Sequence, residues 1–160
     1  MGPGYDGYMD LVRAIKLNKK EWEEYLLWRT DGYSRNCLIS SESFEVILVC
    51  WLKGQSSPIH SYDYQQGWIK VLEGELVVET YAVDLESKTA NLNESFILKE
   101  GEYCYFNDSM GFHKVYSPNS KTVSLHLNVE RITKWKEFNP VSGELTTTIP
   151  KYDQISKYCD

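Results

Sequence analysis

From residue 33 to residue 129 this 160-residue chain is a succession of short β-forming runs, nearly every one closed by Gly, Asn, Asp, Ser or Pro. Residues 44–51 (FEVILVCW) have the continuous apolar character of a buried strand. Residues 68–80 (WIKVLEGELVVET) read as a hairpin turning at Glu73-Gly74. Further runs cover 96–98, 103–106, 113–116 and 123–129. Many short strands at such spacing predict an antiparallel sandwich or barrel. Twelve Tyr and five Trp favour the same class, because aromatic side chains suit a pleated, half-buried surface. The first thirty residues differ. Leu11, Val12 and Ile15 fall on one helical face that ends near Asn18. Asn18 then reads as the N-cap of a second helix, with Glu21 completing a capping box and Trp22, Tyr25 and Leu26 turned inward. The last twenty residues are polar and are expected to be irregular.

A chain of this length can bury one core, and no repeat, linker or low-complexity segment divides it. The expected organisation is a single domain: N-terminal helices over 1–30, a β-barrel over 33–130 and a C-terminal extension over 131–160. The net charge is −6 and Lys and Arg form no stripe, so neither nucleic acid nor an anionic membrane is expected as a partner. No signal peptide or membrane-length apolar run is legible, which makes the cytosol the expected location. Cys37, Cys50, Cys104 and Cys159 lack C-x-x-C spacing, so no structural zinc site is expected. Cys50 and Cys104 lie inside apolar runs and read as small core residues.

Only three histidines occur. His60 stands six positions after Gly54 at the start of a strand-like stretch, and His113 closes a second glycine-punctuated segment, residues 101–113. Residues i and i+2 of a strand share a face, so position 62 faces the same way as His60. It holds Tyr62. Two ligands at i and i+2, met by a third from another strand, cap one face of a metal and leave the other open to substrate and oxygen. His60 and His113 alone do not establish such a site, since a lone histidine is more often a core or surface residue.

The arrangement Gly54-x5-His60-x-Tyr62-x4-Gly67-x6-Gly74, followed by residues 101–113, resembles the two motifs of the cupin superfamily. Within it the chain is most similar to the cysteine dioxygenases. The segments that carry this are Tyr33-Ser34-Arg35-Asn36, Cys50-Trp51, Ser56-Ser57-Pro58-Ile59-His60, Asn107-Asp108-Ser109-Met110-Gly111-Phe112-His113 and Ser124-Leu125-His126-Leu127. They stand in the family's order from about Trp22 to Asn128. The resemblance implies a cupin (jelly-roll-like) β-barrel. It also implies a non-haem ferrous iron, Fe(2+), normally held by three imidazoles, at which a cysteine-like thiol and O2 give a sulfinic acid. His60 and His113 match the first and third ligands, and Arg35 matches the clamp on the substrate carboxylate. Tyr33 lines that end of the pocket, while Ser124 and His126 match a serine–histidine network behind the catalytic centre.

Three positions depart from the family's pattern. Tyr62 replaces the second histidine, Asn128 an active-site tyrosine, and Gly67 the cysteine to which that tyrosine is linked in many members. Three readings of Tyr62 stay open. It ligates the metal as a phenolate, or water or a carboxylate such as Asp63 completes the set, or its ring fills a vestigial site. The sequence therefore leads to a thiol dioxygenase-like oxidoreductase acting on cysteine or a related carboxylate-bearing thiol. The alternative is a catalytically silent cupin that binds a small thiol or amino acid or acts as a structural partner. No protein partner is called for, and a monomer is expected.

Overall fold

The computed structural model of the protein describes residues 5–62, 66–107 and 110–160. Among these residues two six-stranded sheets form. The first contains β1 (Ser34–Ser41), β2 (Phe44–Trp51), β4 (Gln66–Glu73), β7 (Tyr103–Asn107), β9 (Thr122–Val129) and β12 (Gln154–Ile155), in the order β12-β1-β2-β9-β4-β7. The second contains β3 (Ile59–Ser61), β5 (Glu75–Asp84), β6 (Thr89–Lys99), β8 (Phe112–Tyr116), β10 (Trp135–Asn139) and β11 (Glu144–Thr148), in the order β11-β10-β3-β8-β5-β6. Every pairing is antiparallel except the short one between β1 and β12. Ile47, Val49, Trp51, Ile69 and Val71 of the first sheet share one buried core with Leu76, Val78 and Val115 of the second. This is the sandwich-like barrel that the alternating runs predict.

Residues 68–80 are not a hairpin. β4 pairs with β7 and β9, whereas β5 pairs with β6 and β8 in the opposite sheet. One residue separates the two strands, too few for the two-residue turn that lets neighbouring strands pair. Gly74, at φ +85°, carries the chain over the edge instead. A Cβ there would lie 2.7 Å from the Lys121 carbonyl oxygen and 2.7 Å from Thr122 Oγ1, so both the dihedral and the close approach call for glycine. A register shift in β4 between Val71 and Glu73 accompanies the corner.

The N-terminal region holds one helix, α1 (Tyr5–Ala14), which ends earlier than the periodicity suggests. It buries Val12 but leaves Leu11 exposed. The second helix is replaced by two single 3-10 turns, Lys19–Glu21 and Glu23–Tyr25. The Glu21 carboxylate still accepts the Asn18 backbone N–H at 2.6 Å. Trp22 is buried against Leu48, Cys50, Val123 and Leu125 on the outer face of the first sheet, with Tyr25 and Leu26 beside it. Burial of the indole, not helix propensity, fixes this segment.

The sheets also continue past residue 130. β10 and β11 extend the second sheet, and β12 runs beside β1, so the last twenty residues are not irregular. A disulfide between Cys37 and Cys159, with Cα atoms 6.5 Å apart, ties the C-terminal segment to β1. The remaining cysteines are free, Cys50 buried and Cys104 half-buried, as expected of packing residues.

Candidate functional site

His60 on β3 and His113 on β8 are direct cross-strand partners, and their ring centroids lie 4.2 Å apart. Tyr62, just past the end of β3, packs its ring 5.3 Å from His60 and 4.8 Å from His113. Strand alternation thus brings all three to one place between the sheets. His60 Nδ1 lies 2.9 Å from the Pro58 carbonyl oxygen and donates to it, which puts the lone pair on Nε2. Ser57 hydroxyl bonds the same carbonyl at 2.9 Å, and the rigid Ser-Pro step thereby sets the imidazole's orientation. His113 stacks on Phe106 at 4.3 Å, and its Nε2 is buried without a hydrogen-bond partner among the described residues.

Burial lowers the pKa of His60 to about 4, partly countered by the Pro58 carbonyl and the Glu137 charge. Burial and the neighbouring His60 and His126 hold His113 well below the usual imidazole value. Both rings are therefore neutral at physiological pH, the form that binds a cation. Burial pushes the Tyr62 phenol upward, so it keeps its proton unless a cation is bound beside it.

The facing wall comes from the first sheet. Trp51 Nε1 donates to Ser124 Oγ at 2.9 Å, and Ser124 Oγ lies 2.9 Å from His126 Nε2. Donation of the Ser124 hydroxyl proton to Nε2 completes the relay, leaving His126 neutral with its proton on Nδ1. Burial, with help from the Arg35 charge, lowers His126 to about 3. Tyr33 stacks on Trp51 with centroids 4.5 Å apart, and burial raises its phenol.

Arg35 lies on β1, only 8% exposed, with its guanidinium over the rings of Trp135 at 5.0 Å and Tyr152 at 5.6 Å. Nη2 is 3.9 Å from Glu45 Oε1, while Nη1 is buried with no partner among the described residues. Glu45, on β2, is fully buried; it accepts Asn128 Nδ2 at 2.7 Å on Oε1 and the Tyr152 hydroxyl on Oε2. Glu45, Asn128 and Gly67 stand in register across β2, β9 and β4. A Cβ at Gly67 would meet Asn128 Oδ1 at 2.5 Å, so the carboxamide fills the space a side chain there would need.

Tyr33, Arg35, Trp51, His60, Tyr62, His126 and Asn128 all line one cavity between the sheets. Its volume is about 30 Å³, room for a water molecule or two. The structure thus brings together the sequence-selected residues, with His113 packed behind His60 and Tyr62 and Ser124 one hydrogen bond behind His126. Sequence reasoning missed Glu45, Trp135 and Tyr152. Glu45 carried a signal, a lone carboxylate in an otherwise apolar run; Trp135 and Tyr152 come from the region read as an extension.

Two neutral imidazoles, one with an orphaned buried nitrogen, fit a first-row transition metal, and Tyr62 stands at the third position. No set of three His, Cys, Asp or Glu residues converges among the described residues. Asp63, considered for the third position, lies outside them.

The sequence matches the family model of cysteine dioxygenase type I over residues 5–140. Cysteine dioxygenase type 1 of Bos taurus is 31% identical over 121 residues, covering 73% of this chain and 60% of the relative. The Danio rerio protein of that name is 27% identical over 155 residues, 93% of this chain and 76% of its own length. The chain therefore spans about 60% of the length of the mammalian relatives it matches. Among solved structures, a Klebsiella pneumoniae protein with a double-stranded β-helix domain superposes with a TM-score of 0.56 at 14% identity. That superposition covers 81% of this chain and 94% of the other. It shows the fold: a cupin-type double-stranded β-helix.

Proposed function

The chain belongs to the cysteine dioxygenase family of the cupin superfamily, and we propose that it oxidises cysteine, or a small carboxylate-bearing thiol like it, to the sulfinic acid. Thiol and O2 combine with both oxygen atoms retained on sulfur. The observation that carries this reading is the pairing of His60 and His113 at 4.2 Å, with His113 Nε2 buried and unpartnered among the described residues and His60 lining the cavity that Arg35 also lines. His60 and His113 would hold ferrous iron through Nε2, with Tyr62 at the third position. Iron bound there supplies the charge that draws the proton from a thiol and the site at which oxygen reacts.

The protein's own groups do the rest. Arg35 Nη1 takes the substrate carboxylate through a charge-assisted hydrogen bond. Tyr33 and Trp135 exclude water on that side. The Trp51–Ser124–His126 relay keeps His126 neutral and fixed, with its Nδ1 proton available to a polar atom in the cavity. Because the cavity holds little more than water, substrate entry requires side chains around it to move. No nucleic acid or membrane enters this proposal, the working state is a monomer, and the working location is the cytosol. No helix among the described residues is long and apolar enough to cross a membrane.

The tightness of the cavity and the phenol at position 62 favour a second reading, a silent cupin that binds a small thiol or amino acid. L-cysteine turnover with added ferrous iron under air, with sulfinate followed by mass, separates the two. Multiple turnovers support the dioxygenase and make Tyr62 part of its mechanism. A folded protein that forms no sulfinate supports the silent reading. Tyr62→His then locates the defect: iron content and turnover rise together if position 62 alone is limiting.

A further inference from the structure

We infer that Glu45 determines substrate specificity in this cavity: it offsets the charge of Arg35 and thereby weakens the advantage of thiols that carry a carboxylate. The inference rests on the reading of Arg35 as the carboxylate anchor and adds a residue which that reading does not need. Arg35, which lines the cavity, and Glu45 behind it are both buried, and among the described residues each has its ion pair with the other. At 3.9 Å the contact is too long for a hydrogen bond, so Glu45 acts on Arg35 through its field and does not clamp it. Glu45 is held in place by others. Asn128 Nδ2 fixes Oε1 and the Tyr152 hydroxyl fixes Oε2, which stops the carboxylate from rotating away.

Nη1 of Arg35 is buried with no partner among the described residues and Nη2 has only the 3.9 Å approach of Glu45, so recognition at this guanidinium occurs beside a negative charge. A substrate carboxylate is drawn by Arg35 at hydrogen-bond range and repelled by Glu45 from farther off, so Glu45 offsets part of the attraction. An uncharged substituent feels neither strongly. The expected behaviour is a site that takes L-cysteine and 2-aminoethanethiol, the same aminothiol without the carboxylate, with dissociation constants within about tenfold of each other. Removing the Glu45 charge while keeping its shape restores the full attraction of Arg35.

The test is anaerobic titration calorimetry of the iron-loaded protein with these two thiols. Glu45→Gln is expected to tighten L-cysteine about tenfold or more and to leave 2-aminoethanethiol nearly unchanged, so that the ratio of the two constants moves. Glu45→Asn, also uncharged, is measured alongside in case the larger amide disturbs folding, which thermal melts report. Neutral variants that bind both thiols with the wild-type ratio overturn the role of Glu45. Wild-type protein that binds neither thiol overturns the thiol reading of the site itself, and this inference with it.

Discussion

The two walls of the cavity are built on opposite principles. On the second sheet, His60, Tyr62 and His113 crowd together, and one imidazole nitrogen stays buried with no partner among the described residues. Around the cavity the first sheet answers most of its polar atoms from within: Trp51 by Ser124, Ser124 by His126, Asn128 and Tyr152 by Glu45. A buried polar atom without a partner costs about 1–3 kcal/mol, so the second-sheet wall pays in stability for an open valence. The first-sheet wall spends its hydrogen bonds on holding side chains still, apart from Arg35 Nη1. One wall awaits a ligand from outside the chain, and the other positions what that ligand meets.

If this division is correct, the largest effect comes from the second-sheet wall. His113→Ala should lower iron affinity by a factor on the order of 10² or more, read as metal content after dialysis, with the fold intact. Stability to urea without metal should fall by less than an ordinary buried ring-to-Ala change costs, because losing the unsatisfied nitrogen offsets part of the cavity left beside Phe106.

Acid should act next, on the histidines of both walls. Burial puts His60 near pKa 4 and His126 near 3, and His113 well below the usual imidazole value, whereas the unfolded chain takes up those protons near pH 6.5. Below pH 6.5 the unfolded state therefore binds more protons. Stability of the metal-free protein is full above that pH and falls as pH drops toward 4. The slope is up to roughly 1.4 kcal/mol per pH unit for each histidine. Urea titrations at a series of pH values measure it. Bound metal should flatten the curve by mass action.

Arg35→Met tests the first-sheet wall. It strands the Glu45 carboxylate, and the expected loss is about 3 kcal/mol of stability in urea, together with weaker L-cysteine binding. Glu45→Gln combined with Arg35→Met should recover part of that stability, since no unpaired charge then remains buried. Ser124→Ala should have the smallest effect, about 1 kcal/mol and roughly tenfold in turnover, because it removes only the link between Trp51 and His126. A loss as large as that of His113→Ala would erase the distinction between the walls.

The fold was legible where burial and turn residues act locally. Residues 44–51 form β2 as read, and the runs at 103–106, 113–116 and 123–129 fall inside β7, β8 and β9. Pairing was not legible. Glu73-Gly74 looks like a hairpin turn to any reading of neighbouring residues, yet Gly74 sends β5 to the other sheet, since the partner of a strand depends on distant chain. Trp22 shows the same limit on the helical side, where packing on β2 and β9 overrides the capping signal at Asn18.

The site divides in the same way. His60, Tyr62, His113, Arg35, Ser124 and His126 could be picked from the sequence, because motif residues and strand alternation are local properties and the spacing of the segments matched a known family. Glu45, Trp135 and Tyr152 could not be assigned to it. Their place depends on β2 lying beside β9, on β10 joining the second sheet, and on the Cys37–Cys159 disulfide and β12 bringing the C-terminal segment back to β1. The sequence by itself determined which side chains face inward and which chemistry they can offer, since alternation and residue type are written residue by residue. Only the tertiary structure decided that Arg35 meets a buried carboxylate while His113 meets none, because charge compensation is a property of atoms brought together from separate strands.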